Sequence, residues 1–334
     1  RAVRAFMDIY RFSKNIEMLQ QIPSRFPREL KFDRKKAKDM IQAGLETKNR
    51  LLTEMEAKEL LSAYGIPVDP MESAVDKEEA VNKAEAMGFP VVLKINSRDI
   101  THKSDANGVL LDLKNESEFR NAFDRIIKNA QAYSPNARID GVAIQPMRKR
   151  PDYELILGAK QDRDFGPVIL FGMGGILTEV HEDRAIALPP LNRLLAKRLM
   201  EGTKVYRLLQ GYRDIPPARI PLLEEILIRL AQLVTDFSEI AELDINPLFV
   251  NEKNACAIDA RVLLKPSQTP APLHLVISAY PDQLEERIRT KTGIDIFVRP
   301  IRPEDAPLLV ELFESLSPKS VYRRFFTPMK RLPH

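Results

Sequence analysis

The chain has 334 residues, 44% hydrophobic and 29% charged, with a single cysteine. That length accommodates two or more domains, and one thiol excludes an internal disulfide and fits a reducing, cytoplasmic setting. It carries no apolar run long enough to span a membrane and no signal-peptide pattern, so no membrane role is expected.

The net charge is +4, but it is unevenly placed: residues 1–50 carry 13 Lys/Arg against 6 Asp/Glu, and the remainder 38 against 41. The surplus peaks over Lys31–Lys38 and reads as a solvated linker or helix face. It lacks aromatic interleaving and any recognition motif, so nucleic acid is not an expected partner. The chain opens at Arg1 and closes at Arg331-Leu-Pro-His334, which reads as a piece of a longer polypeptide.

In chain order, Val3, Phe6, Met7 and Tyr10 share one helical stripe within residues 1–20. Pro23 and Pro27 break the next stretch, and a basic helix is expected around 33–49. Thr53-Glu-Met-Glu56 has capping-box spacing and opens a helix that stops at Gly65, just before Pro67. Asp76 caps a further helix running to Met87, with Gly88 at its end. Strands are expected at 91–95 and 109–113, a helix over 115–132, and strands at 141–147, 154–159 and 167–171. Helical periodicity returns at 191–209 and 218–237. A hairpin follows, 240–250 with 255–259, turning at Asn251-Glu-Lys-Asn254. Prolines 266, 270, 272 and 281 mark a linker. Beyond it, 294–298 is strand-like and 303–316 helix-like.

Four segments carry chemistry. His102 lies in the polar run Arg98–Asp105, between two strand-like segments and near Lys94. A neutral imidazole can attack phosphorus, and Lys94, Lys103 and a metal ion could hold the phosphoryl oxygens; a surface-loop histidine is the plainer alternative. In Glu242-Leu-Asp-Ile-Asn-Pro-Leu248, alternation puts Glu242, Asp244 and Asn246 on one face, and Asp259 on the returning strand could join them. Such hard oxygen donors suit Mg²⁺, though a solvated hairpin face fits the same pattern. Phe171-Gly-Met-Gly-Gly175 places Gly172, Gly174 and Gly175 in a tight backbone that can offer N–H groups to phosphate or simply turn. It is neither a Walker loop nor a dinucleotide fingerprint. Gln145-Pro-Met147 and Glu154 could pair with an adenine edge and a ribose, or be an ordinary strand and turn. The other histidines form no cluster with Cys256 that would bind zinc.

Taken in series, Leu52–Leu61, Tyr64-Gly-Ile-Pro67, Gly88–Lys94, His102–Asp105, Phe171–Gly175 and Glu242–Leu248 resemble the ATP-grasp domain of NDP-forming acyl-CoA synthetases. The resemblance covers residues 51–264. It implies an α+β ATP-grasp fold, two α+β subdomains clasping a nucleotide, with partial flanking domains. Residues 1–22 resemble the tail of a CoA-ligase-like region and 23–50 a basic linker or helix. Residues 265–283 are a Pro-rich linker, and 284–334 resemble, through Phe297–Asp305, the start of a GNAT acetyltransferase.

The resemblance further implies ATP or ADP and Mg²⁺ as cofactors. Lys94 would contact phosphates, Gln145 and Met147 the adenine edge, and Glu154 the nucleotide pocket. Asn246 and Asp259, with Asp244 near them, would hold Mg²⁺. His102 would carry phosphate between a first histidine elsewhere and ADP, in the reaction acyl-CoA + ADP + phosphate ⇌ acid + CoA + ATP. The implied partners are the nucleotide and the CoA-ligase-like and GNAT domains of the same polypeptide, with self-association left open. The alternative is a nucleotide-sensing segment of a lysine acetyltransferase without synthetase activity. One departure from the family pattern is Asn107-Gly108 where two glycines are usual; asparagine tolerates the left-handed turn.

Overall fold

The structure, a computed structural model, describes residues 6–7, 10, 30–100, 103–175, 183–277, 280–281, 284–302, 305–327 and 329. The chain forms two compact units, Pro27–Ser278 and a second made of Arg1–Phe26 with Ala279–His334. No helix among the described residues is long and apolar enough to cross a membrane.

The larger unit opens with α1 (Arg34–Glu46) and α2 (Glu54–Ala63). The capping box at Thr53 forms as the sequence predicts: Thr53 Oγ1 accepts from Glu56 N–H, and Glu56 returns a carboxylate to Thr53 N–H. Gly65 then ends the helix at φ +72°.

A four-stranded antiparallel sheet comes next. It is ordered β1 (Glu72–Ala74), β4 (Gly141–Pro146), β2 (Val91–Asn96), β3 (Val109–Leu113). Two helices, α3 (Lys77–Met87) and α4 (Glu116–Tyr133), cover one face. Phe119, Phe123 and Ile126 pack there with Val91, Leu93, Ile95 and Ile144. The caps at Asp76 and Asn115 each accept the N–H three residues on.

The second sheet has β5 (Tyr153–Asp162) and β6 (Gly166–Met173), followed by β7 (Arg184–Ala187). Helices α5 (Arg193–Glu201), α6 (Val205–Leu209) and α7 (Ile220–Asp236) intervene before β8 (Ile240–Val250), β9 (Ala255–Ala257) and β10 (Ala260–Leu264). Its order is β10-β8-β5-β6-β7, with β9 extending the β8 hairpin. Leu155, Leu157, Phe171, Leu243 and Ile245 are buried in one core with Leu223, Ile226, Leu227 and Leu230 of α7.

The basic stretch within 23–50 takes, over its helical part, the helix-face form that the sequence allowed: the lysines are exposed, while Ala37, Ile41 and Gly44 of α1 enter the core. Only the opposite face carries the lysines, so the charge surplus hides an apolar stripe. One reading needs correction: the described part of the Pro-rich segment is not a free linker. His274 is buried and its Nε2–H donates to Val234 O at 2.8 Å, while Gly166 packs against the His274 carbonyl.

Burial lowers the pKa of His274 from 6.5, and the carbonyl bond and nearby Glu239 and Asp236 only partly oppose it. The folded state therefore keeps this imidazole neutral where the unfolded chain takes up a proton. Its contribution to stability is complete above about pH 6.5 and is lost as pH falls below that value. Wild type should lose more Tm between pH 7.5 and 5.5 than His274→Leu; equal pH slopes in thermal melts would refute this.

A buried network fastens α1 to the core. Asp236 on α7 accepts from Tyr64 Oη at 2.6 Å, from Arg34 at 2.8 and 2.9 Å, and from Gln232 at 2.9 Å. Burial and the adjacent carboxylate both push the Tyr64 phenol up, so it stays a donor. Tyr64→Phe should cost about 1.5–3 kcal/mol, the loss of a hydrogen bond to a charged acceptor; a urea midpoint unchanged from wild type would contradict that.

The smaller unit, by itself, contains a hairpin of β11 (Glu286–Arg289) and β12 (Asp295–Val298), then α8 (Ala306–Ser315) and α9 (Pro318–Phe325). The strand and helix expected near 294–298 and 303–316 are present as β12 and α8. Phe6, Met7 and Tyr10 are helical, and the rest of the helix expected over 1–20 lies outside the described residues.

Candidate functional site

The irregularity in β8 builds the site. Leu155 stands opposite Leu248 and Leu157 opposite Ile245, so Asn246 and Pro247 face the single residue Ile156. On the other side Leu248 pairs with Ala257 and Ile245 with Ala260, leaving Ile258 and Asp259 opposite the same two residues. Bulges of this kind break a ladder locally and re-aim side chains. Alternation holds up to the bulge: Leu243 and Ile245 are buried, and Asp244 is exposed on the other face.

A cavity of about 290 Å³ collects Glu54, Lys103, Asp244, Asn246, Asp259 and Arg261 along part of its wall. Asp244 and Asp259 thus share one hollow with Asn246. Solvent reaches Asp244 through the cavity, yet crowding protein and the charge of Asp259 push its carboxyl up to about 6, with Arg261 partly opposing. Asp259 is raised as well, by burial and by Glu54, against the pull of the lysines. Two carboxylates that repel one another beside an amide oxygen form a donor set suited to a hard divalent cation. Mg²⁺ needs only one or two carboxylates when phosphates complete its shell. Among the described residues no group of three His, Cys, Asp or Glu side chains forms a cation cage.

Glu54 and Lys103 of this wall belong to a cluster the sequence did not announce. Glu54, in the first turn of α2, is buried with both oxygens occupied. Oε1 meets Lys94 Nζ at 2.6 Å and Lys58 Nζ at 3.2 Å, and Oε2 meets Lys103 Nζ. Burial alone would raise the Glu54 pKa, but the three ammonium groups outweigh it and hold the carboxylate ionised, well below its usual range. Lys58 is pushed down by burial, with Glu54 as its main support. Asp259 also lies within the field of these lysines, so three cations face two buried carboxylates, and the net surplus of about one positive charge leaves room for an added anion in a water-poor place.

Lys58 also donates to Gln145 Oε1 at 3.1 Å, joining the end of β4 to this cluster. Met147, whose N–H donates to Pro90 O, lines a second, more open hollow of about 690 Å³ with Arg148, Phe249, Cys256 and Ile258. Beneath it Asp69 accepts from Arg148 Nε at 2.6 Å. Burial pushes the Cys256 thiol up to about 11, so it packs rather than reacts.

The glycines have a structural reason of their own. A Cβ at Gly174 would lie 2.3 Å from the Leu155 backbone, at Gly172 2.3 Å from Asp183 O, and at Gly175 2.1 Å from the Glu154 carboxylate. Gly175 N–H donates to Asn246 Oδ1 at 3.1 Å, tying this turn to the bulge. The structure thus brings Lys94, Asp244, Asn246 and Asp259 to one region, with Gln145 linked through Lys58. Glu154, Gly172 and Gly174 line neither cavity. His102 lies outside the described residues.

Glu54 and Lys58 escaped sequence reasoning because their pattern is commonplace. An acid in the first helical turn with a lysine four residues on reads as a solvated pair. The one available signal was that Leu60, Leu61 and Ala57 cannot all be buried without drawing their neighbours inward.

Residues 43–264 match the family described as ATP-grasp domain. The chain is 41% identical over 229 residues to the β-subunit of acetate–CoA ligase [ADP-forming] I of Pyrococcus furiosus, covering 69% of this chain and 98% of that subunit. It is 41% identical over 263 residues to 4-hydroxybutyrate–CoA ligase [ADP-forming] of Nitrosopumilus maritimus, covering 78% of this chain but 37% of that protein. Among solved structures, acetyl-coenzyme A synthetase 1 of Ca. Korarchaeum cryptofilum with coenzyme A and Ca-AMPCP is similar at TM-score 0.66 and 38% identity. That match covers 69% of this chain and 100% of that one. The same synthetase with coenzyme A and Mg-AMPPCP gives 0.60 and 36%. The chain thus spans nearly all of a separate β-subunit but little more than a third of the single-chain ligase. It belongs to the ATP-grasp family, as a segment homologous to the β-subunit of ADP-forming acetate–CoA ligases.

Proposed function

We propose that residues 51–264 bind ATP or ADP with Mg²⁺ and pass a phosphoryl group between His102 and ADP, as the nucleotide half of an ADP-forming acyl-CoA synthetase. The observation that carries this reading is the juxtaposition of three lysines gathered on Glu54 with a hollow that holds two carboxylates and an amide, the two halves of a site for phosphate with a divalent cation. In it, Lys94 contacts the nucleotide phosphates, and Gln145 and Met147 flank the adenine edge. Glu154 and the turn at Gly172, Gly174 and Gly175 would border the nucleotide from the Asn246 side, to which Gly175 N–H is tied.

Asn246, Asp244 and Asp259 would hold Mg²⁺, a reading that rests on their shared hollow; the choice of Mg²⁺ as the ion is supported by the Mg-AMPPCP complex of the similar synthetase. An ion held there would help neutralise the phosphate charge beside the lysines. A terminal oxygen of ADP attacks phosphorus, the bond to the His102 ring nitrogen breaks, and the freed imidazole returns to its neutral state. Acyl and CoA chemistry belongs to a CoA-ligase-like partner region. The relatives act on different acids, so acyl choice is assigned to that region rather than to this one.

The test is to incubate the chain with γ-³²P-ATP and Mg²⁺ and look for acid-labile, base-stable label, with His102→Ala as control. Label that disappears in the variant, while ATP affinity stays, supports the carrier role; equal label in both refutes it. Binding without label in wild type would favour the nucleotide-sensing alternative, which gains no support from relatives that are ligases. A GNAT-like reading of 284–334 rests on the Phe297–Asp305 motif, and the family match ends at residue 264.

A further inference from the structure

We infer that Glu54 is a positioning residue that couples the nucleotide phosphates to the segment at residues 103–108. The inference rests on the nucleotide reading above and deepens it. The two oxygens of one buried carboxylate are divided between two parts of the site. Oε1 holds Lys94 of β2 and Lys58 of α2, and Oε2 holds Lys103 of the loop that follows β2.

Lys103 is the residue next to His102, and its carbonyl accepts from Gly108 N–H at 2.7 Å. Ile95 N–H in turn donates to Gly108 O at 2.8 Å, so the turn rests on the strand that carries Lys94. A Cβ on Gly108 would stand 2.7 Å from Ile95 and 3.0 Å from the Lys103 carbonyl, so the turn has no slack. The base of the segment is fastened separately. Arg98 donates to Glu56 and to Leu51 O, and Asn49 donates to Asp99. At the tip, Lys103 pairs with Glu54.

Exchange of Glu54 for phosphate does not suit this geometry. A carboxylate left inside without its lysines would carry the full cost of an unpaired buried charge. Each ammonium has three donors, so Lys94 can keep Glu54 and still reach a phosphate oxygen. Binding of a phosphate chain then draws Lys94 and fixes Glu54, and Glu54 fixes Lys103. Phosphoryl-transfer enzymes of another fold use a carboxylate to hold a strand lysine against phosphates in the same way. Here the carboxylate has a second arm, which reports occupancy to the turn.

The test measures amide exchange at Asn107 and Gly108 with and without Mg-ADP, alongside Mg-ADP affinity by calorimetry. In wild type the nucleotide should slow exchange there about tenfold, a modest coupling free energy. In Glu54→Gln, which keeps the shape and removes the charge, Mg-ADP should still bind, but this slowing should fall to less than about twofold. A merely structural role would raise exchange with and without ligand alike and leave the ratio unchanged.

If Glu54→Gln does not fold, Lys103→Met removes the second arm and keeps Glu54 paired to Lys94 and Lys58; the same loss of ligand-dependent slowing is expected. Retention of the wild-type ratio in a variant that binds Mg-ADP overturns the coupling role. So does wild type that binds Mg-ADP without slowing at these amides. Failure of wild type to bind Mg-ADP at all would instead overturn the nucleotide reading, and calorimetry separates the two.

Discussion

Lys94→Met should weaken ATP binding about a hundredfold, the equivalent of one charged hydrogen bond made in a water-poor site. Lys94 is 5% exposed and lies on β2 with its ammonium held against Glu54. Methionine matches the length of the stem and supplies no donor, so packing survives while the phosphate contact goes. The fold itself should tolerate the change better than loss of Glu54 would. Lys58 and Lys103 remain to neutralise Glu54, and the positive surplus among the buried groups shrinks. A Tm close to wild type with ATP affinity lost, read by melting curves and calorimetry, is the expected pair of results. ATP affinity within threefold of wild type would remove Lys94 from the phosphate site.

How far the sequence reaches depends on the distance over which its signals act. The capping box at Thr53, the cap at Asp76 and the stop at Gly65 are local signals, and all three appear as expected. The alternation through Glu242–Asn246 also placed Asp244 on the cavity side with its period of two intact. What local pattern does not contain is the partner across the fold. Glu54 finds Lys94 forty residues away and Lys103 forty-nine away, and Asp236 finds Tyr64 across 172. The short strands β1 and β7 were missed for a related reason: three or four residues carry too little period to recognise, and sheet pairing alone defines them.

In the basic stretch before residue 50 the helix and its solvated face were legible, and the buried face was not. Its lysines were visible and its stripe of Ala37, Ile41 and Gly44 was masked by them, though a helical period was present throughout. Gly44 makes the point sharply. A Cβ there would meet Leu264 and Leu52 at 2.6 Å, a contact between the start and the end of the larger unit that no window of sequence could register. The glycines of Phe171–Gly175 were open to two readings, a phosphate cradle or a tight turn; the backbone approaches at Gly172 and Gly174 show that packing already demands them.

Asp244→Asn should trade metal-dependent binding for stability, and it separates two roles of one carboxylate. The folded value near 6 lies above the ordinary 3.8 because protein crowds the group and Asp259 repels it. A raised acid pKa means the folded state holds the proton more tightly, so ionisation opposes folding. That penalty is complete above about pH 6 and disappears below about pH 4. Asparagine removes it. Because solvent reaches the group, the gain at neutral pH should be no more than about 1 kcal/mol, with a higher Tm at pH 7.5 and little change at pH 4. The same substitution takes one of two carboxylates from the Mg²⁺ site, and Mg²⁺-dependent ATP affinity should fall about a hundredfold. Binding of ATP without Mg²⁺ should change little if, as proposed, Lys94 rather than Asp244 meets the phosphates. Such a trade is common where charge is held in place for a ligand at the expense of the empty fold. Unchanged affinity in Mg²⁺ together with the stability gain would mean that Asp244 merely borders the ion, leaving Asp259 and Asn246 to hold it.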